Sequence, residues 1–364
     1  MEEKAATGKF KGDRVIWTVF FFLCIISIIE VFSASSNLSF KSGNYLGPVL
    51  KHVMLLVVGV MAMIATMNVK CKYFKMVTPG ALIISFIGLI AVLCFGESTN
   101  GSQRWLSVMG IQFQPSELAK GAIILATAQI LSAMQTPTGA DKRAFKYICI
   151  VCAFIVPLIM VENLSTAVLL CTVVFLLMFI GKVPKAQLGR LLGIVMLCLI
   201  FIVSMVMILG HDKEKENADG QKMAMTEQVE KKDETVVEKV FHRFDTWKAR
   251  IDKFLDNKEI APEEVDLDKD GQTAHANIAI ASSNVVGKGP GNSVERDFLS
   301  QAFSDFIYAI IIEEMGIAGA AFVCLLYIIL LFRTATIANR CVNTFPALLI
   351  MGFALLLVIQ AMFN

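Results

Sequence analysis

No cysteine stands between Gly210 and Asp305, the one long hydrophilic stretch of this 364-residue chain. No disulfide framework therefore holds that stretch together. The formal net charge of +2 says nothing about nucleic acid, but no basic tract with interleaved aromatics occurs, which sets that partner aside. No internal repeat of the kind that marks many secondary transporters is visible. The nine cysteines lie in apolar runs or short basic loops. Cys149-x-x-Cys152 has redox spacing, but it sits inside an apolar run without a second pair, and packing is its reading.

What the chain has instead is hydrophobicity. It is 56% apolar with a mean hydropathy of +0.66, against about 45–50% apolar in soluble domains. Several apolar runs reach the roughly 18–20 residues needed to cross a bilayer. The prediction is an all-α polytopic membrane protein. Its candidate helices are Val15–Ser35, Leu46–Met67, Val77–Phe95, Pro115–Met134, Tyr147–Val161, Leu164–Gly181, Leu188–Leu209, Phe306–Phe332 and Phe345–Phe363. This divides the chain into a tail (1–14), a seven-helix region (15–209), a large loop (210–305) and two last helices (306–364). Tyr147–Val161 is short, so Glu162-Asn163 reads as a tight turn. Val31-Phe32-Ser33-Ala34 resembles a signal-cleavage site, but the apolar stretch before it is longer than a usual signal peptide, and an uncleaved span is expected.

Basic residues set the orientation. Lys4, Lys9, Lys11 and Arg14 lie in the tail, and Lys70, Lys72, Lys75, Lys142, Arg143, Lys146, Lys182, Lys185, Arg190, Arg333 and Arg340 in alternate short connections. The intervening connections hold little beyond Lys41 and Arg104. The N-terminus is therefore predicted to be cytoplasmic and the loop 210–305 extracytoplasmic. That loop carries 14 Lys/Arg against 21 Asp/Glu, and its length points to function. Its first part is charged and poor in aromatics. Phe244, Trp247, Ile251, Phe254 and Leu255 then recur at helical spacing, predicting a surface-lying amphipathic helix near 240–255. Asn277 to Asn292 predicts a helix followed by turns.

Several residues invite a chemical reading. Asp305 stands where the hydrophilic loop becomes an apolar helix. It reads either as the N-cap of that helix or as a functional carboxylate at the membrane surface, and position alone admits both. In Gln114-Pro115-Ser116-Glu117-Leu118-Ala119-Lys120, Pro115 suits a first helical turn, and Glu117 and Lys120 can pair at i, i+3. They either tie helix ends or line a polar cavity. Gly287-Lys288-Gly289-Pro290-Gly291 reads either as a flexible turn or as backbone that approaches a phosphate, with Lys288 as a point charge. Glu313 and Glu314 lie about 12–14 Å into the next helix from Asp305, and Glu30 is expected to reach the interface. Asp266, Asp268, Asp270 and Gly271 copy part of a calcium loop, but Asn277 stands where a bidentate Glu is needed, so an acidic surface turn is the default.

Three stretches together give a family resemblance: RWLSVMGIQFQPSELAK at 104–120, ENLSTA at 162–167, and the run from Gln272 through NVVGKGPGNS to SDFIYAIIIEEMG. In this order they resemble the SEDS family (shape, elongation, division and sporulation), which includes FtsW, RodA and SpoVE. The wording at Asn284–Ser293 and the long loop are nearer the FtsW branch. The resemblance implies a SEDS-type bundle of ten helices, of which about nine are present, with a later family segment beginning at Gln360 and Asn364. It implies a peptidoglycan glycosyltransferase that polymerises lipid II at the outer face of the bacterial cytoplasmic membrane, at the division septum. It implies Asp305 as the essential acid. The family's Leu-Pro-Glu-Ala-His-Thr-Asp-Phe appears here with Ser300, Gln301 and Phe303 in place of Pro, Glu and His, and no helper role is assigned there. The family's Pro-Asp-x-Gly-Thr-Ala appears with Asn163 in place of Asp, and no chemistry is assigned to it.

On this reading the acceptor's GlcNAc 4-hydroxyl attacks C1 of a MurNAc that carries undecaprenyl diphosphate, and Asp305 removes the proton. Arg104, Lys120, Arg243 and Lys288 are candidate cations for the diphosphate. Glu117, Ser304 and Glu314 complete the expected substrate-binding set. No cofactor and no metal ligand is named, and a divalent cation is left as an option. The implied partners are the polyprenyl-linked glycan, a class B penicillin-binding protein with transpeptidase activity, and other division proteins. Two other classes compete. A lipid flippase would depend on Glu117, Lys120, Glu313 and Glu314 with Asp305 dispensable. A scaffold would need no catalysis.

Overall fold

The computed structural model describes residues 12–34, 47–95, 97–99, 102–108, 111–137, 139–209, 267–299 and 305–363. In order, their helices are α1 (Arg14–Ala34), α2 (Gly47–Met67), α3 (Cys71–Phe95), α4 (Pro115–Ala133), α5 (Lys142–Glu162), α6 (Leu164–Ile180), α7 (Lys185–Leu209), α8 (Leu267–Ala281), α9 (Ile307–Arg340) and α10 (Thr344–Met362). Seven of these are long and apolar enough to cross a membrane, and α6 is a shorter apolar helix. The protein is a multi-pass, all-α membrane protein. The predicted amphipathic helix near 240–255 lies outside the described residues, as does Asp266. Asp268 and Asp270 begin α8 rather than an acidic turn.

Several helices run past the ends expected from hydropathy. α3 starts at Cys71 rather than Val77, α5 at Lys142 rather than Tyr147, and α9 continues to Arg340 rather than Phe332. The apolar runs stop at the first Lys or Arg, but the helices continue through the interface, where long basic side chains reach the polar layer. Lys75 lies over the Phe345 ring of α10, 4.8 Å from its centroid, a cation–π contact. Pro79 is carried inside α3, as membrane helices permit. α5 is thus a full 21-residue helix. The turn at Glu162-Asn163 is tight because Asn163 caps α6, its side chain accepting from the Ser165 and Thr166 amides.

Residues 1–183 with 265–364 form one compact unit, and 184–264 another. The described helix of the second unit is α7, apolar all round, the composition of a helix in lipid. In the first unit the core is built on α4. Eleven of its 19 residues are buried, among them Ala119, Ala122, Ala126 and Ala128. Small side chains let neighbouring helices approach closely, and α3, α5, α6 and α10 all pack on α4. The least apolar of the long helices is therefore the most enclosed. Strands precede α4. β1 (Glu97–Thr99), β2 (Ser102–Val108) and β3 (Ile111–Phe113) form an antiparallel meander with Leu106 opposite Phe113 and Val108 opposite Ile111. Beyond α4, β4 (Gln135–Thr136) and β5 (Gly139–Ala140) make a minimal hairpin. Neither sheet was expected from the sequence.

α9 is broken at Gly316, whose φ of 71° and ψ of −177° are not helical. The break frees backbone groups at membrane depth, where each unsatisfied one is costly. The segment 284–289 takes them up. The amides of Lys288 and Gly289 donate to the Glu313 and Glu314 carbonyls (2.9 and 2.8 Å), and the amides of Ile317 and Ala318 donate to the Asn284 and Val285 carbonyls (3.2 Å each). Glycine is required on both sides. A Cβ on Gly316 would stand 2.4 Å from the Val285 oxygen, and one on Gly287 2.3 Å from the Gly316 nitrogen. The glycine-rich segment is thus packed backbone rather than a loose turn.

α1 runs antiparallel to α9 and is fixed at its start by Asp13. That carboxylate accepts from the Val15 and Ile16 amides and takes a forked pair of bonds from Arg333 of α9 (Nη2 to Oδ2, 2.7 Å). The Arg333 hydrogen bonds hold the Asp13 carboxyl below its ordinary value of 3.8.

Gly316→Ala should lower stability by about 1–3 kcal/mol, whereas Gly59→Ala, with nothing within 4 Å of the new Cβ, should be neutral or slightly stabilising. Thermal unfolding of both variants in detergent checks this; equal transitions would contradict the packed-break description. Because the folded pKa of Asp13 lies below its unfolded value, its contribution is present above about pH 4 and fades as the pH falls below that. Asp13→Ala should cost about 1 kcal/mol at pH 7, the worth of a cap, and the difference from wild type should narrow toward pH 3.

Candidate active site

Asp305 lies in the turn before α9 and is exposed. The cap alternative is not met. The N-cap of α9 is Phe306, and no side-chain cap bond forms there. Phe306 instead acts as a wedge. It packs against Leu299 and Ile310 and also against Ala276, Ala279 and Ala309. The carboxylate thus stands on a turn anchored by α8, by the loop ahead of it and by the first turn of α9.

The next turns of α9 carry two fully buried carboxylates, Glu313 and Glu314. Glu313 accepts from Lys288 Nζ at 2.6 Å, from the Val294 amide at 3.1 Å and from the Ser293 hydroxyl. Glu314 accepts from the Gly291 amide at 2.9 Å, from the Ser293 amide at 3.3 Å and from the Ser33 hydroxyl of α1. Arg296 Nη1 donates to Ser33 Oγ and to the Gly291 carbonyl, both at 2.8 Å, and stands 3.8 Å from Glu314. Among the described residues, the side-chain hydrogen bonds of the two glutamates are thus made by the loop 288–296 and by α1. The loop is closed on its far side by His275, 2.6 Å from Glu295, with the Phe298 ring stacked on the imidazole.

A second polar group lies at the start of α4. Lys120 is buried, 2.8 Å from the half-exposed Glu117 and 3.0 Å from Gln360 of α10. It is the predicted i, i+3 pair with a third member from the end of the chain.

The structure therefore brings Lys288 together with Glu313, and Glu117 together with Lys120. Lys288 is engaged by a carboxylate rather than presented as a lone charge. Arg104 lies in β2, where only its backbone is described, and Arg243 and Ser304 lie outside the described residues. Sequence reasoning missed Ser33, Ser293, Arg296 and Gln360 as parts of these clusters. Glu30, read as reaching the interface, is buried against the protein, with 1% exposure. A polar residue inside an apolar span was the available signal for Ser33 and Glu30. Arg296 gave none, because it lies among ordinary loop charges. Among the described residues no set of three His, Cys, Asp or Glu side chains is grouped to hold a metal ion.

A family described as "Cell cycle protein", covering FtsW, RodA and SpoVE, matches residues 13–364. The chain belongs to this family. Similar relatives include the "Peptidoglycan glycosyltransferase MrdB" of Escherichia coli strain K12, 26% identical over all of this chain and 85% of that protein. The "Probable peptidoglycan glycosyltransferase FtsW" of Idiomarina loihiensis is 23% identical over 97% of this chain and 77% of that protein. Relatives under both names thus match nearly end to end. In fold, the chain is similar to a structure described as "Structural coordination of polymerization and crosslinking by a peptidoglycan synthase complex" (TM-score 0.65, 19% identity, 97% of this chain and 85% of that one). It is also similar to the crystal structure of the rod shape determining protein RodA of Thermus thermophilus (TM-score 0.58, 17% identity, 97% and 84%).

Lys288→Met should destabilise the protein by about 2–3 kcal/mol, because it leaves Glu313 buried without its cation. Adding Glu313→Gln should restore part of the loss. A double-mutant cycle on thermal unfolding measures the coupling; additive effects would contradict a shared network.

Proposed function

We propose that this SEDS-family protein is a peptidoglycan glycosyltransferase that joins lipid II units into glycan strands, with Asp305 as its general base. The observation that carries the assignment is that Asp305 is an exposed carboxylate that caps nothing, held on an anchored turn at the mouth of a membrane helix. The names of the relatives support the same reading.

In the reaction, the 4-hydroxyl of the acceptor GlcNAc attacks C1 of the donor MurNAc. Its proton passes to the Asp305 carboxylate as the new C1–O bond forms. The bond from C1 to the diphosphate oxygen breaks, and undecaprenyl diphosphate leaves with the electron pair. The leaving group is good, so the protein needs chiefly to orient both sugars and to stabilise the departing charge. Arg104, Lys120 and Arg243 are the cations we assign to that task, with Glu117 and Ser304 beside the sugars. Lys288 and Glu314 serve the site indirectly, by holding the loop and α9 in register. The positive-inside pattern supports a cytoplasmic N-terminus and an outward-facing Asp305. The wording at Asn284–Ser293 supports a septal role with a class B transpeptidase and other division proteins as partners.

A broken helix is also a hallmark of transporters, where freed backbone groups bind ions or substrate. Here the groups freed at Gly316 that face the segment 284–289 are taken up by it, which favours a structural break over a transport site.

The test is lipid II polymerisation by the purified protein with its cognate transpeptidase inactivated at the acyl-transfer serine. Asp305→Asn should lower strand formation by roughly 10²–10⁴-fold while leaving membrane insertion and thermal stability unchanged. Strands formed at the wild-type rate by Asp305→Asn would overturn the assignment.

A further inference from the structure

A cavity of ≈ 1160 Å³ lies between α1, α2 and α9. α2 borders it without a single buried residue of its own, so one wall of the cavity is a helix that the protein barely covers. The lining is apolar along its length, with Phe20, Leu23, Leu55 and Leu56 in the middle and the adaptable Met63 and Met67 toward the Asp13 end. It extends from Asp13, just ahead of α1, to Val31 and on α2 from Pro48 to Met67. At 1.5 Å per residue this is about 27–29 Å, close to the roughly 30 Å of a bilayer's hydrocarbon core. An acyl chain of a bilayer lipid reaches only the midplane, about 15 Å, and would leave half of such a groove empty.

Polar groups that could receive a head group sit at one end. Lys51 and His52 of α2 and Ser27 and Glu30 of α1 line it there, with Ser27 Oγ 2.9 Å from His52 Nε2. Lys51 is exposed and makes no ion pair among the described residues. Neither carboxyl oxygen of Glu30 has a hydrogen-bond partner among them, an arrangement that calls for a donor from elsewhere. At the opposite end the polar residue is Asp13, already engaged by Arg333. The cavity is also lined by Ile307 and Ile311, about 3 and 9 Å along the helix from Asp305. Its polar end therefore opens beside the turn that carries the proposed base.

We propose that this groove binds the isoprenoid chain of a polyprenyl phosphate-linked substrate, the chain running between α1 and α2 across both leaflets and the phosphate meeting Lys51 and His52. Glu30 accepts a hydrogen bond from a hydroxyl or amide of the attached sugar. The inference rests on the glycosyltransferase reading, because that reading supplies a lipid longer than one leaflet.

The test uses an undecaprenyl phosphate carrying a photoreactive group near its far end, added to the purified protein in phosphatidylethanolamine–phosphatidylglycerol vesicles, with labelled peptides mapped by mass spectrometry. Label should fall on residues 16–23 and 55–67 and drop at least tenfold with excess unlabelled undecaprenyl phosphate, but not with excess dioleoyl phospholipid. Leu55→Trp, which fills the groove, should abolish the label, and Lys51→Glu, at an exposed position, should weaken it severalfold without affecting the fold. Asp305→Asn should leave labelling intact while removing polymerisation. Label on other helices, equal competition by phospholipid, or unchanged labelling in both groove variants would overturn the groove and leave the enzyme reading standing. Absence of label together with absence of polymerisation in the wild-type protein would overturn both.

Discussion

The break in α9 is the constraint on which the rest of the site depends. A helix interrupted at membrane depth must have its freed amides and carbonyls bonded by protein, because lipid supplies no partners. Here the backbone of residues 284–289 answers at four points, and it can approach closely enough only because Gly316 and Gly287 carry no side chain. Once that backbone is seated, Lys288, Gly291, Ser293 and Arg296 are delivered to Glu313 and Glu314. The loop that leads to Asp305 is then fixed at its far end from the carboxylate, and Phe306 fixes the near end. The position of the proposed base follows from a backbone-to-backbone contact rather than from contacts of its own side chain.

The buried charges around the break have a geometric role. A fully buried glutamate is tolerated when its lone pairs are satisfied and a cation stands close by, and Glu313 meets both conditions through Lys288, Ser293 and Val294. Glu314 is satisfied from two directions, the loop and Ser33 of α1. Such groups contribute little net stability compared with apolar packing, but they are intolerant of any other arrangement. That intolerance suits a site whose reacting atoms must be held within fractions of an ångström.

How much of this was legible in the sequence varies with the range of the interaction. The apolar runs marked the long helices, because burial in lipid leaves a signal in every turn. Their ends were misjudged where Lys72, Lys142 or Arg333 continued a helix into the interface. Asp305 was visible as an acid at a loop–helix junction, although only the structure removed its capping role. The meander before α4 was not visible, because strands of three to seven residues carry too few side chains to establish a period of two. The role of the glycine-rich segment was also hidden. Its partner is Gly316, and nothing in Gly287-Lys288-Gly289 alone distinguishes a cradle for a phosphate from a cradle for a helix break.

α1 ties the arrangement together across the membrane. Ser33 bonds the Glu314 cluster before the break, and Asp13 grips Arg333 well beyond it, so the two pieces of α9 are attached to one helix near its opposite ends. A broken helix held in this way cannot swing about its break without tearing one of the two attachments. The α1–α9 wall of the groove is therefore held at both ends and packed between them. α2 has no buried residue; it packs on α1, with Ser27 Oγ 2.9 Å from His52 Nε2 between them. Widening that admits a long chain from the bilayer costs least at α2, the wall with no buried residue, which is not the element that carries the turn bearing Asp305.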